Sequence, residues 1–231
     1  MRRARVLEEL ASSIASVSLG RPVRVAIDGR CGSGKTVLAD ELAARLSAHG
    51  RSVIRASMDG FHRPRAARYA RGRTSPEGYY HDAYDLDAVM ILLLSPLGPH
   101  GDRRYRTASW DLKNDRPLEQ SACVAPADAI LIVDGTFLQR PELSPLFDVT
   151  IHVAVADHNA TARAVNRDTA LFGGIETARE MYVQRYRPAY DLYQRLCVPE
   201  SHADAIFNND DLAHPRLTIR PNGRLVTKTV T

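Results

Sequence analysis

Eight residues at positions 29–36 constrain the fold more than any other part of the chain. They read Gly-Arg-Cys-Gly-Ser-Gly-Lys-Thr, which completes the pattern G-x-x-x-x-G-K-[ST]. The stretch before them, 22–28, is rich in β-branched residues and predicts a buried strand. The stretch after them has helical apolar spacing and ends at Gly50. A glycine-rich loop between a strand and a helix can point its backbone N–H groups at phosphate oxygens, so the sequence predicts a phosphate-binding loop.

The lysine of this loop is informative because the chain almost avoids lysine. Its 31 basic residues comprise 28 arginines and three lysines, of which Lys35 is one. A compact ammonium can follow the β- and γ-phosphates of a nucleotide, whereas the broad guanidinium of arginine would not fit the same space. The Thr36 hydroxyl can ligate Mg²⁺. We therefore expect ATP to be bound by Gly29, Arg30, Cys31, Gly32, Ser33, Gly34, Lys35, Thr36 and Val37.

Two acids follow other predicted strands. Asp134 ends "ILIVDG", part of a strand predicted over 127–135, and an acid there can hold Mg²⁺ through water. Asp59 ends the strand predicted over 52–59, at the sheet edge where ligands of open α/β sheets bind. A carboxylate there can accept the proton of an attacking hydroxyl. Taken alone, each acid is typical of an Asp-Gly turn, and only the phosphate loop favours the functional interpretation.

Strands and helices alternate along the rest of the chain, with further strands predicted over 147–157 and at "ADAIFNN". A helical pattern from Asn159 to Leu196 is interrupted at "LFGGI", and 60–84 is loop-like. This alternation predicts one α/β domain with a mostly parallel central sheet. We expect an N-terminal helix (about 1–20) before it and a C-terminal hairpin (214–231) turning at Asn222-Gly223 after it.

Composition limits the partners. A net charge of +4, spread along the chain rather than held in a polybasic block, suits an anionic small molecule better than a nucleic-acid surface. The three cysteines are far apart and lack metal-site spacing, which favours a reducing compartment. The N-terminus carries Glu8 and Glu9 where a signal peptide needs an apolar core. We expect a cytoplasmic protein without a membrane partner; a homo-oligomer is left open.

Later motifs extend the pattern over most of the chain. Together with the phosphate loop, these motifs resemble the uridine kinase, phosphoribulokinase and bacterial-type pantothenate kinase group of P-loop kinases. Their order and spacing are those of uridine kinases. The resemblance implies a three-layer P-loop NTPase fold with a nucleotide-binding core (22–58), a small acceptor-binding excursion (59–120) and a helical lid with its following helix (158–196). It implies transfer of the ATP γ-phosphoryl group to a hydroxyl, the 5′-OH in a nucleoside. The matching segments are "IDGRCGSGKT", "MDGFHRP", "SPEGYYHDAYDLDAV", "IVDGTFL", "ARAVNRD" and "YRPAYDLY…CVPESHADAIFNN".

The resemblance also implies roles for residues on the acceptor side. Asp59 matches the catalytic base, and Asp82 matches an acid that hydrogen-bonds the sugar. Tyr105 matches an aromatic residue of the nucleoside pocket, and His62 lies where another base-contacting aromatic residue falls. Phosphoryl transfer depends mostly on positioning and charge neutralisation, so such roles make physical sense.

On the lid, Arg163 and Arg167 open the helix, and Arg167 matches the arginine that stabilises the transferring phosphoryl group. Uridine kinases carry two further arginines where this chain has Phe172, Gly173 and Gly174. Arg179 could fold back in their place, which makes it a candidate substrate-binding residue. Met181 stands where these enzymes use a glutamine to read the pyrimidine.

Several functions remain open at this stage. Uridine or cytidine is the first choice of acceptor, followed by pantothenate, nicotinamide riboside and a sugar or sugar phosphate. From other classes, the chain could be a nucleotide-dependent regulatory module or, given the arginine-rich stretch 62–73, a nucleic-acid-binding ATPase. Asp59 discriminates between these classes, because a regulatory switch needs no base for an acceptor.

Overall fold

A six-stranded sheet forms the centre of the computed structural model, which describes residues 2–225. The strands described there are β1 (Val23–Asp28), β2 (Val53–Ser57), β3 (Arg104–Tyr105), β4 (Trp110–Asp111), β5 (Arg116–Pro117), β6 (Cys123–Val124), β7 (Ile130–Gly135), β8 (Val149–Ala154), β9 (Ala205–Asn208) and β10 (Arg216–Ile219). The sheet order is β10-β9-β8-β1-β7-β2. Only the β9–β10 pair of this sheet is antiparallel, which confirms the predicted α/β fold class.

Helices cover both faces of the sheet. They are α1 (Arg3–Ala15), α2 (Lys35–Ala48), α3 (Arg65–Arg68), α4 (Pro76–Asp82), α5 (Leu86–Val89), α6 (Asp157–Phe172), α7 (Ile175–Met181), α8 (Arg187–Cys197) and α9 (Pro199–His202). Short 3₁₀ helices cover Met58–Phe61 and Ser144–Leu146. Turns of π-helix extend α5 over Met90–Leu94 and join α7 to α8 over Tyr182–Tyr186. Within residues 2–225 there is no helix with the length and apolar character needed to cross a membrane.

The two faces of the sheet hold two separate cores. β1 is buried along its whole length, as expected for a central parallel strand with helices on both sides. Its alternation sends Val25 and Ile27 into the core shared with α1 and α2, and Ala26 into the core shared with α4 and α8. The carboxyl ends of β1, β2 and β7 therefore meet at one edge of a rigid platform, which positions the residues that follow them.

The prediction of a loop over 60–84 is wrong, because this stretch contains a 3₁₀ turn and the helices α3 and α4. α4 begins at a local signal: the Ser75 hydroxyl accepts a hydrogen bond from the backbone N–H of Gly78 at 3.0 Å, and Pro76 follows at the first helical position. Beyond it, the segment predicted to bind the acceptor folds into two small antiparallel ladders, β3–β6 and β4–β5.

The described part of the predicted C-terminal hairpin is the strand β10 and the turn after it. β10 pairs antiparallel with β9, placing Ile219 opposite Ala205 at the edge of the central sheet. A turn follows over 221–222. The second arm expected after that turn falls mainly on 226–231, outside the described residues.

Candidate active site

The phosphate loop runs from the end of β1 to the start of α2. Gly32 and Gly34 have φ angles of +77° and +90°, a region in which residues with a Cβ are strained. Gly32 also lies against α6, since a Cβ there would come 2.1 Å from the carbonyl oxygen of Ala160. The Lys35 ammonium folds back over the loop and donates to the carbonyl oxygen of Arg30 at 2.8 Å. The loop is thus shaped by glycine at the two positions where it turns most sharply.

Two oxygen ligands meet beside the loop. The Thr36 hydroxyl donates to the Asp134 carboxylate at 2.7 Å, and the second carboxylate oxygen accepts from Arg55 at 3.0 Å. Asp134 is buried, so its orientation is fixed. A hydroxyl and a carboxylate are the hard oxygen donors that Mg²⁺ prefers, and Mg²⁺ commonly takes only one or two protein ligands beside phosphate oxygens. The residues present therefore fit this ion. Among residues 2–225, no group of three His, Cys, Asp or Glu side chains forms an alternative metal site.

Asp59 lies next to this pair. In the β2–β7 ladder Ser57 is the partner of Asp134, and Asp59 follows two residues later in the first turn of a 3₁₀ helix. Its backbone N–H donates to the Ser57 hydroxyl at 3.3 Å, and the Asp59 residue is exposed. An exposed carboxylate beside the Thr36–Asp134 pair can take a proton from an incoming hydroxyl.

His62 follows the 3₁₀ helix that contains Asp59, and Asp82 ends α4. The His62 ring packs on Tyr84 with 4.6 Å between centroids, and its Nδ1–H donates to the Asp59 carbonyl oxygen at 3.1 Å. Burial lowers the pKa of His62, and the nearby arginines lower it further against the opposing pull of Asp59, so the ring is neutral at pH 7. Asp82 accepts from Arg71 at 2.8 Å and lies 4.0 Å from Arg63.

The remaining acceptor-side and lid residues are spread more widely. Tyr105 is half-buried in β3, where it packs against the core shared with α4 and α8. Arg163 donates to the carbonyl oxygens of Asn209 at 2.9 Å and Asp210 at 2.6 Å. Arg179 pairs with Glu176 on its own helix at 3.1 Å.

Arg167 belongs to a small network on the lid. Its guanidinium pairs with Asp168 at 2.7 Å, and the Tyr182 hydroxyl donates to the other oxygen of Asp168 at 2.8 Å. The hydrogen bond that Arg167 donates to Asp168 raises the pKa of Arg167, which stays cationic at every working pH. Below this network, a cleft between the phosphate loop and the lid is lined by Cys31, Thr161 and Tyr186, among others.

Comparison with curated proteins finds kinases. The chain is 26% identical over 217 residues to uridine-cytidine kinase A of Dictyostelium discoideum, a match that spans 89% of this chain but only 42% of that protein. It is 27% identical over 193 residues to the uridine kinase of Leuconostoc citreum, spanning 78% of this chain and 88% of that one. No protein-family model matches the chain.

Solved structures give the same result for the fold. A candidate uridine kinase from Bacillus stearothermophilus matches with a TM-score of 0.69 and 24% identity over 88% of this chain and 97% of its own. A candidate fructose transport system kinase from Silicibacter matches with a TM-score of 0.69 and 25% identity over 83% and 95%. The chain is a P-loop kinase similar to uridine kinases. The resemblance, the fold and the phosphotransferase class expected from the motifs are thereby confirmed, while the roles of individual side chains stay predictions.

Sequence reasoning missed a buried network directly under the phosphate loop of this kinase. The carboxylate of Asp28 accepts from the Tyr193 hydroxyl at 2.8 Å and from Gln139 at 3.1 Å, and Nδ1 of His152 lies 3.5 Å away. Burial alone would raise the pKa of Asp28, but the interactions with His152, Tyr193 and Gln139 outweigh it and hold the pKa below its usual value. The charged side chain of Asp28 thus anchors the end of β1, directly before Gly29. Its position at the end of a buried strand, like that of Asp134, was an available signal.

A second missed residue ties the acceptor region of the kinase to the lid. Arg185, in the π-helical turn before α8, is buried and donates to the carbonyl oxygen of Arg73 at 2.7 Å. Its guanidinium lies over the rings of Tyr69, at 4.8 Å, and Tyr79, at 5.2 Å. These contacts fix the loop before α4 relative to the lid. No pattern in the sequence pointed to this arginine among 28.

Proposed function

We propose that this kinase transfers the γ-phosphoryl group of ATP to a hydroxyl group of a nucleoside, with uridine or cytidine as the first candidates. One observation carries the proposal: the phosphate loop, the Thr36–Asp134 pair and the exposed Asp59 converge at one edge of the sheet. A protein that only senses a nucleotide needs no free acid beside its metal ligands. The names of the curated relatives support the choice of a pyrimidine nucleoside.

The nucleotide side of the mechanism rests on the phosphate loop. Its backbone N–H groups and Lys35 would hold the triphosphate, with the N-terminus of α2 adding partial positive charge. Thr36 and Asp134 would hold Mg²⁺. When bound, this ion neutralises charge on the phosphate oxygens and so favours their transfer. Arg55, hydrogen-bonded to Asp134, keeps that carboxylate turned toward Thr36.

The transfer itself needs a base and a cation. Asp59 would accept the proton of the acceptor hydroxyl as its oxygen forms a bond to the γ-phosphorus. The bond from that phosphorus to the β–γ bridging oxygen breaks in line, and ADP leaves with the bonding pair. Arg167 would reach from the lid to the equatorial oxygens of the transferring group. His62, neutral at pH 7, contributes a ring surface rather than a charge.

A second candidate acceptor is a sugar or sugar phosphate. Asp82, the residue matched to a sugar-binding acid, is flanked by Arg63 and Arg71, so this corner of the acceptor region carries net positive charge. Met181 offers a thioether where pyrimidine-reading enzymes of this type place an amide, and a thioether cannot donate a hydrogen bond. The first observation supports an anionic acceptor, and the second removes one contact expected for a pyrimidine, so a sugar phosphate is the second candidate.

The acceptor is tested by measuring ADP release with Mg-ATP and a panel of compounds. The panel contains uridine, cytidine, adenosine, nicotinamide riboside, pantothenate and ribulose 5-phosphate. Strong stimulation by uridine or cytidine supports the first candidate, and stimulation only by the sugar phosphate supports the second. No stimulation by any of them would contradict both candidates.

The proposed base is tested with matched substitutions. Asp59→Asn should lower kcat by roughly 10²- to 10⁴-fold while leaving Mg-ATP binding intact, because only proton transfer is lost. Asp128→Asn makes the same charge change on an exposed residue just before β7, at the opposite edge of the sheet, and should leave kcat unchanged. Full turnover by Asp59→Asn, alongside loss of ATP binding in Lys35→Ala, would refute the assignment of the base.

A further inference from the structure

The turn that follows β9 connects three parts of the molecule that are distant in sequence. Its central residue, Asn209, is only 1% exposed although it lies after the last residue of a strand. Asn209 and Asp210 together contact the phosphate loop, the N-terminal helix α1 and the lid helix α6. We call these two residues the β9 corner.

The side chain of Asn209 supports the phosphate loop directly. Its Nδ2 donates to the carbonyl oxygen of Ser33 at 2.8 Å. It also fills the space beside Gly34, where an added Cβ would come 2.6 Å from Nδ2. Because the carbonyl of Ser33 faces the β9 corner, the peptide unit of Ser33 has a defined orientation. The orientation of the loop in front of α2 therefore depends on one buried amide.

Arg3 of α1 fixes which way that amide points. Its Nη1 donates to Asn209 Oδ1 at 2.9 Å, while its Nε donates to Glu41 of α2 at 2.9 Å. A guanidinium can only donate hydrogen bonds, so the amide oxygen must face Arg3 and the amide nitrogen must face the loop. The N-terminal helix thus specifies a hydrogen bond inside the nucleotide site.

The same corner holds the base of the lid helix. Asp210 accepts from the backbone N–H of Ala156 at 2.8 Å and from Asn159 at 3.0 Å. Arg163 of α6 donates to the carbonyl oxygens of both corner residues. These bonds fix the start of α6 relative to the loop, at the place where Gly32 touches Ala160.

We propose that Asn209 is a positioning residue for ATP, and that Arg3 acts through it. The β9 corner sets the direction of the Ser33 peptide and the spacing between the phosphate loop and the lid helix. This inference goes beyond the proposed function because it concerns the nucleotide alone and holds for any acceptor. It predicts that a residue of the N-terminal helix, which touches no substrate, controls the affinity for ATP.

The direct test is the affinity for Mg-ATP, measured by isothermal titration calorimetry without any acceptor. Asn209→Asp keeps the size of the side chain and the oxygen for Arg3, but replaces the donor to Ser33 with a second acceptor. We expect the Kd for Mg-ATP to rise about 10-fold, the effect of one lost hydrogen bond. The control is Asn208→Asp, which adds the same charge one residue earlier and keeps the oxygen that accepts from the Asp210 backbone N–H.

Arg3→Met provides the second arm. It leaves Asn209 in place but removes the donor that orients the amide, so the Kd should rise by a smaller factor, about 3-fold. Arg5→Met, on an exposed position of the same helix, is the matched control and should bind as wild type does. Thermal unfolding of all four variants separates a purely structural effect from an effect on binding. A purely structural effect lowers the unfolding midpoint and leaves the Kd for Mg-ATP unchanged.

The outcomes are distinguishable. Wild-type affinity in Asn209→Asp would overturn the inference and leave the proposed function standing. Weak binding in Asn208→Asp, equal to that of Asn209→Asp, would also overturn it, because added charge alone would then explain the loss. A wild-type protein that binds no Mg-ATP would overturn the proposed function as well.

Discussion

Replacing Gly32 with alanine tests the contact between the phosphate loop and the lid helix. Two separate effects are expected at this position. The φ angle of +77° strains any residue with a Cβ. In addition, the new methyl group would lie 2.1 Å from the carbonyl oxygen of Ala160 and 2.9 Å from the Cβ of Ala164, both on α6.

Their magnitudes can be worked out separately. The left-handed backbone costs an alanine about 1–2 kcal/mol. A carbon and a carbonyl oxygen in contact are usually about 3.3–3.6 Å apart, so the loop and α6 must separate by roughly 1 Å. Overpacking of this kind costs about 1–3 kcal/mol more. We expect Gly32→Ala to lose about 2–5 kcal/mol of unfolding free energy. The shift also misplaces the loop N–H groups that would bind phosphate, so Mg-ATP affinity should fall by about 10-fold or more, the effect of at least one lost hydrogen bond.

Gly50 supplies a matched control. Its φ angle is also +77°, and an added Cβ there would meet nothing within 4 Å. Gly50→Ala should therefore lose only about 1–2 kcal/mol of unfolding free energy and keep its Mg-ATP affinity. Urea unfolding measures the first quantity and isothermal titration the second. If Gly32→Ala binds Mg-ATP as tightly as Gly50→Ala does, the loop does not depend on its contact with α6 and the reasoning is refuted.

Other predictions concern charge. Burial favours protonation of Asp148, but hydrogen bonds from Arg21 and Arg24 lower its pKa to about 2. The folded pKa is thus below the unfolded value of about 3.9, and about 1–2 kcal/mol of stability, after allowance for screening, is present above pH 4 and lost as the pH falls toward 2. Thermal unfolding of wild type and Asp148→Asn should converge over this range; a constant difference would contradict the argument. Arg185→Met should raise the KM for the acceptor more than the KM for ATP, which steady-state kinetics with the identified acceptor would reveal. Arg179→Ala should leave kcat within about 2-fold if its exposed ion pair persists during turnover, and a large drop would mean that Arg179 folds back.

The nucleotide half of the site could be predicted because its signals are local. Glycines at fixed spacing, a lysine, and acids at the ends of apolar strands specify backbone shape and sheet edge without knowledge of distant contacts. The order of strands and helices then places Lys35, Asp59 and Asp134 at one edge. The structure describes Lys35 at the start of α2 and Asp134 next to the last residue of β7. Asp59 follows β2 in a 3₁₀ helix rather than ending the strand as predicted.

The supporting residues could not be predicted, because their partners are far apart in the chain. Tyr193 bonds to Asp28, 165 positions away, and Asn209 bonds to Ser33, 176 positions away. Neither pair leaves a periodic pattern. α4 was missed for a different reason: its apolar residues are tyrosines between polar ones, and only its cap, Ser75-Pro76, marks the start.

The lid is where this kinase departs most from the pattern it resembles. The two arginines at the start of the lid helix, Arg163 and Arg167, make hydrogen bonds that differ in the free energy needed to break them. Arg167 is 63% exposed, and its pair with Asp168 is worth about 0–1 kcal/mol in water. Arg163 is partly buried and bonded to two carbonyl oxygens, and hydrogen bonds from a charged group contribute about 1.5–3 kcal/mol each. Arg167 can therefore leave its partner and swing toward a phosphoryl group, whereas moving Arg163 would release the base of the lid from the β9 corner. This difference favours Arg167 as the lid cation that acts during transfer.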